Sequence, residues 1–209
     1  MHPELRQRLP ILALVVAISI VTFADWFIGL VALQAVPFEL TLAWKQLLAG
    51  SGNGETFATL LTSLSVALLH SDARHLILNM IFFWIFGVAV LEIISWRWTL
   101  AVLLLSTIGA TAGHVLTDPY ETIPMVGASG AVRGFQGAFL GLAVQKSQPA
   151  SYIWPVARPV SPAELCAVGV LGVMMDFMGI TSEAASNVAF AAHLGGFFTG
   201  MVLVFFRRA

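Results

Sequence analysis

The chain has 209 residues, of which 58% are hydrophobic and only 10% charged, with a mean hydropathy of +0.89. A soluble domain of this size cannot hide that much apolar surface, whereas a polytopic membrane protein has lipid for its solvent. A net charge of −1 gives no basic balance for nucleic acid, and the single cysteine, Cys166, excludes an intramolecular disulfide and cannot by itself build a metal site.

A membrane span needs roughly 20 apolar residues. Runs of that kind lie near 10–33, 75–95, 98–116, 127–146, 163–180 and 187–206. They are continuously apolar rather than alternating, which predicts helices and not a barrel. The first follows Arg6 and Arg8 but is too long for a cleaved leader, so it reads as a retained helix. Between the first two runs, FELTLAWKQLLAG predicts a short amphipathic helix at the interface and SGNGE a turn. FATLLTSLSVALL is apolar but too short to span, and is expected half-buried against the bundle. The expected fold class is all-α: one membrane domain over 1–209, with six spans.

Six spans put both termini on one side. With that side inside, it holds Arg6, Arg8, Arg97, Lys146, Arg158, Arg207 and Arg208, and the outer side holds only Lys45 and Arg74. This is the asymmetry of basic residues expected when both termini are cytoplasmic.

In the fourth run, VGASGAVRGFQGAFLG, Gly130, Gly134, Gly137 and Gly141 mark one small-residue face. On that segment alone Ser129 reads as one more small packing residue. It is no hydrolase nucleophile elbow, because Ala131 stands where that turn needs glycine. Depth adds information. Counting back from Lys146, Ser129 lies about 25 Å above the inner edge, His193 about 21 Å above it from Arg207, and Asn79 about 27 Å from Arg97. His75 is one turn above Asn79 on the same face. A lone histidine or asparagine in a membrane usually bridges helices. Four polar groups at one level are costly, and point to function. Gly196 and Gly200 on the last helix would let it approach the glycine face and bring His193 to Ser129.

The stretches LLTSLSVALLHSDARHLILNM, VGASGAVRGFQGAFLG and AAHLGGFFTG resemble rhomboid intramembrane serine proteases, in order and spacing, from Thr59 to about Val204. The resemblance implies a six-helix bundle with a Ser–His dyad open to the outer side. It assigns Ser129 as nucleophile, His193 as general base, and His75 and Asn79 to the oxyanion site. It implies transmembrane segments of other proteins as substrates, entering from the lipid bilayer, and neither cofactor nor metal. With no large extra domain evident, a bacterial inner membrane is the expected location. A catalytically inactive relative that binds transmembrane helices is the alternative. A small-solute transporter is a third reading, disfavoured because the chain lacks inverted repeats.

A serine hydroxyl becomes a good nucleophile when a neutral imidazole takes its proton. No acidic residue is expected beside His193, so the sequence predicts a dyad and not a triad. The pattern departs from the family at Arg133, where an aromatic is usual, at Phe190, where a histidine is frequent, and at Trp44-Lys45 in place of Trp-Arg. An unpaired Arg133 would cost at least about 2.5–3.5 kcal/mol in the bilayer. Asp176 on the fifth span is its best partner, ahead of backbone carbonyls or water, and Gln136 extends the network. Arg133 is then either a structural tie or a group that tunes catalysis.

Overall fold

The computed structural model describes residues 3–154, 156, 158–181 and 189–207. Among them the chain forms eight α-helices and no strand. They are α1 (Pro3–Ile28), α2 (Pro37–Leu48), α3 (Gly54–Ser65), α4 (Ala73–Ile93), α5 (Trp96–Thr117), α6 (Ser129–Gln145), α7 (Pro162–Thr181) and α8 (Phe190–Leu203).

Local chemistry sets the boundaries. The run expected as 10–33 stops as a helix at Ile28, because Gly29 takes a left-handed φ of +63°. Pro37 opens α2 at a position that needs no N–H. The expected turn SGNGE ends in a reciprocal capping box, in which Asn53 and Thr56 each receive the other's backbone N–H and fix the start of α3. Asp72 Oδ1 accepts the His75 N–H at 2.9 Å and caps α4.

Among the described residues four helices are long and apolar enough to cross a membrane: Gln7–Ile28, Ala73–Ile93, Trp96–Thr117 and Pro162–Ile180. The other two expected spans are shorter than their apolar runs. Helix α6 has 17 residues, and α8 with its 3-10 tail runs Phe190–Phe206. The expected start of the last span at 187 lies outside the described residues, as do Glu183 and Arg208. The chain is an all-helical, polytopic membrane protein.

Helix α8 is wedged between α5 and α6. A β-carbon at Gly196 would strike the carbonyl oxygen of Gly130, and one at Gly200 that of Gly134. On its other face, Gly195 lies so close to α5 that a β-carbon would strike the Gly109 carbonyl. Lipid offers no hydrophobic drive between helices, so close backbone approach through small residues holds them together. Deeper in the bundle, α4 and α6 pack through edge-to-face aromatics. Phe83 meets Phe135 at 5.3 Å between ring centres and Phe86 meets Phe139 at 6.5 Å. Charge gathers at one end. Arg8 of α1 pairs with Glu92 of α4 at 2.6 Å, and Arg207 beyond α8 donates to the Ile93 carbonyl.

Candidate active site

The fourth span was expected to begin at 127, but residues 122–128 are not helical. They instead form an irregular strap, because other segments take their backbone hydrogen bonds. Met125 N–H donates to Ala35 O at 2.8 Å and Gly127 N–H to Val66 O at 2.9 Å. The segment between α1 and α4 thus sets the approach to α6. Helix α6 then begins at Ser129 itself, with no side-chain cap. Val132 N–H makes the first closing bond, to Ala128 O, so the N–H groups of the first turn have no intrahelical partner.

Ser129 is half-buried, and its Oγ stands 2.9 Å from His193 Nε2. The glycine contacts between α6 and α8 make this meeting possible. Both groups line an open cavity of about 730 Å³, together with His75, Asn79 and Gly127. Gly127 has φ +129°, and a β-carbon there would lie 2.9 Å from His75 Nε2 and 3.7 Å from Ser129 Oγ. Its bare backbone leaves room between imidazole and hydroxyl.

Asn79 is buried at 6% exposure, and its Nδ2 donates to His75 O at 3.1 Å. One of its two amide hydrogens is used there. The His75 ring meets Ser71 Oγ through Nδ1 at 3.2 Å, and that hydroxyl also donates to Asp72 Oδ2 at 3.0 Å. While Ser71 gives its hydrogen to Asp72, His75 must donate from Nδ1. When the hydroxyl turns to His75 instead, Nε2 becomes the donor facing the cavity. The His75 N–H bond to Asp72 holds that exposed carboxyl below its ordinary value.

Arg133 finds the partner that the cost of an unpaired charge demanded. Its Nε stands 2.9 Å from Asp176 Oδ2, without its N–H aligned on that oxygen. The aligned bonds run from Nη2 to Asp176 Oδ1 at 3.3 Å and from Nη1 to Gln136 Oε1 at 2.8 Å. The guanidinium lies over Gly172 of α7, where a β-carbon would strike Nη1. The expectation that no acidic group stands beside His193 fails. Asp176 Oδ1 is 2.9 Å from His193 Nδ1, and the carboxylate that pairs with Arg133 also touches the imidazole. Sequence spacing located Asp176 on α7 but gave no azimuth for α7 against α8.

A third histidine near the site escaped sequence reasoning. His70 is buried at 1% exposure. Its Nε2 accepts the Ala128 N–H at 3.3 Å, so Nδ1 carries the ring hydrogen and donates to Thr22 Oγ1 at 3.0 Å. The Thr22 hydroxyl donates on to Leu68 O at 2.9 Å. His70 thereby pins the residue before Ser129 to α1. Burial, helped by the nearby His75, pushes its pKa down to about 3, against a smaller opposing pull from Asp72. The available signal was a third histidine five residues before His75, in a segment too short to span.

Among the described residues no cluster of histidine, cysteine or carboxylate groups could hold a metal ion. No curated protein matches the chain at a significant level. The family model for the rhomboid domain matches residues 56–209. That match covers α4 to α8 and every residue of the cavity named above, and the chain belongs to the rhomboid family.

Proposed function

We propose that this chain is an intramembrane serine endopeptidase that cleaves transmembrane segments of other membrane proteins. The observation that carries the reading is the 2.9 Å contact between Ser129 Oγ and His193 Nε2 at an open cavity, lined also by His75 and Asn79, within an apolar bundle. The whole chain acts as one domain of six spans with both termini cytoplasmic, and the cavity opens outward. Helix α6, at 17 residues, covers only about 26 Å. Its N-terminus therefore sits below the membrane surface, and the cavity brings water down to it.

In this reading His193 Nε2 takes the Ser129 proton as Oγ bonds to the scissile carbonyl carbon. Negative charge moves to the former carbonyl oxygen. The Ser129 N–H, at the positive end of α6, and the second amide hydrogen of Asn79 stabilise it. His75 joins them in the rotamer state where Ser71 donates to its Nδ1. The amine then leaves with the proton from His193, and water enters to hydrolyse the acyl-serine with His193 again as base. A substrate helix has every backbone bond satisfied, so it must unwind locally before its carbonyl reaches Ser129. Small or helix-destabilising residues near the cut are favoured for that reason.

The test is cleavage of a model transmembrane substrate in liposomes, with fluorophosphonate labelling of the serine. Ser129→Ala and His193→Ala each abolish both signals while the melting temperature holds. Cleavage by purified Ser129→Ala would remove the serine mechanism. A wild-type chain that binds the substrate without cutting or labelling would instead identify an inactive helix-binding relative. Asn79→Ala is expected to lower kcat by roughly 10²–10³, the loss of one oxyanion donor, with little change in apparent binding.

A further inference from the structure

We propose that Asp176 is a positioning residue for proton transfer at Ser129, holding His193 in its working tautomer. This rests on the reading of Ser129 and His193 as nucleophile and base. An ionised carboxylate only accepts hydrogen bonds. Its Oδ1 lies 2.9 Å from His193 Nδ1, so that nitrogen carries the ring hydrogen. The lone pair is then on Nε2, 2.9 Å from Ser129 Oγ, where it receives the hydroxyl hydrogen. The opposite tautomer would face a lone pair to the carboxylate and an N–H to the serine, and would leave the hydroxyl unactivated.

The seating of the carboxylate argues against a tie to Arg133 alone. Helix α7 buries one narrow stripe, Leu165, Gly169, Gly172 and Asp176, and Asp176 is the single charge on it, 2% exposed. An ion pair with Arg133 would account for its burial. It would not account for Oδ1 lying between the guanidinium and the imidazole, in reach of both. Arg133 in turn is held by Gln136 and by the missing side chain at Gly172. The guanidinium braces the far side of the carboxylate and balances its buried charge. When Nε2 takes the serine proton, the Nδ1 hydrogen stays on His193, and Asp176 faces the imidazolium so formed.

Asp176→Asn preserves shape and separates this role from packing. The Arg133 donors claim the carboxamide oxygen and turn the amide hydrogens towards Nδ1, which selects the wrong tautomer. In the full-length protein in liposomes, kcat is expected to fall by between about tenfold and 10⁴-fold with KM within about twofold. The fluorophosphonate labelling rate falls in step, the melting temperature also falls because Arg133 loses its counter-charge, and Asp176→Glu recovers part of the rate. A kcat for Asp176→Asn within twofold of wild type overturns the inference. If Asp176→Asn does not fold, the proton spectrum of the wild type decides. A strongly deshielded ring N–H signal that His193→Ala removes is expected, and its absence overturns the proposal. A wild type that neither cleaves nor labels overturns the protease reading itself, whereas an active wild type with an unaffected Asp176→Asn overturns this inference alone.

Discussion

Helix α6 meets α8 through bare backbone and α7 through long side chains. On the α8 side, Gly130 and Gly134 offer carbonyls to Gly196 and Gly200 with no room for a methyl group. On the α7 side, Arg133 reaches across to Asp176, while a β-carbon on Gly169 would rest at an ordinary 3.6 Å from Gln136. The first seam has no adjustable parts, so it fixes distance. The second holds by charge and tolerates small shifts, so it fixes orientation. A site needing a hydroxyl and an imidazole at 2.9 Å uses the rigid seam for that pair. It leaves the support of the imidazole to the softer seam.

The largest effect is expected at the rigid seam. Gly196→Ala should abolish serine labelling and lower the melting temperature, since its methyl meets the backbone of Gly130, which cannot rotate away. Wild-type labelling in that variant would break the contrast. Next comes Gly172→Ala. Its methyl meets only the mobile end of Arg133, so the guanidinium swings off Asp176. A stability loss of roughly 1–3 kcal/mol is expected, read by denaturation in detergent, with activity reduced rather than abolished.

A smaller effect tests the pin at the head of α6. His70 is held at about 3 instead of its ordinary 6.5. Between those values the unfolded chain binds a proton that the folded chain refuses. The stabilisation is therefore complete above pH 6.5 and is lost as pH falls towards 3. The melting temperature should drop between pH 6.5 and 4, and His70→Gln, lower throughout, should show a shallower drop. Equal slopes would remove His70 from that role. The smallest effect is Gly169→Ala, expected to leave labelling unchanged and the melting temperature within a few degrees. Its failure would mean that the α7 seam is as tight as the α8 seam.

The sequence was legible where one residue type has few uses in lipid. Glycines at spacings of three and four announced the α6–α8 seam, and the cost of a bare guanidinium required a partner such as Asp176. SGNGE read only as a turn, and α3 starts within it at Gly54. What stayed hidden depended on azimuth and on loops. The second glycine face, Gly195 against Gly109, needed the angular setting of α5 about α8. The contact of Asp176 with His193 needed three helices at once. The late start of α6 at Ser129 depended on hydrogen bonds donated to the carbonyls of Ala35 and Val66, which are distant in sequence and carry no periodic mark. His70 looked like any loop histidine until its three-part chain to Thr22 and Leu68 was in place.

The Arg133–Asp176 pair also constrains how the protein is made. The guanidinium leaves the ribosome 43 residues before its carboxylate. At about 5–20 residues per second, that is a delay of roughly 2–9 s. During it α6 carries an uncompensated charge and an uncapped first turn into a medium that tolerates neither. The nascent helix is disfavoured in lipid by itself, and it is expected to settle there together with α7.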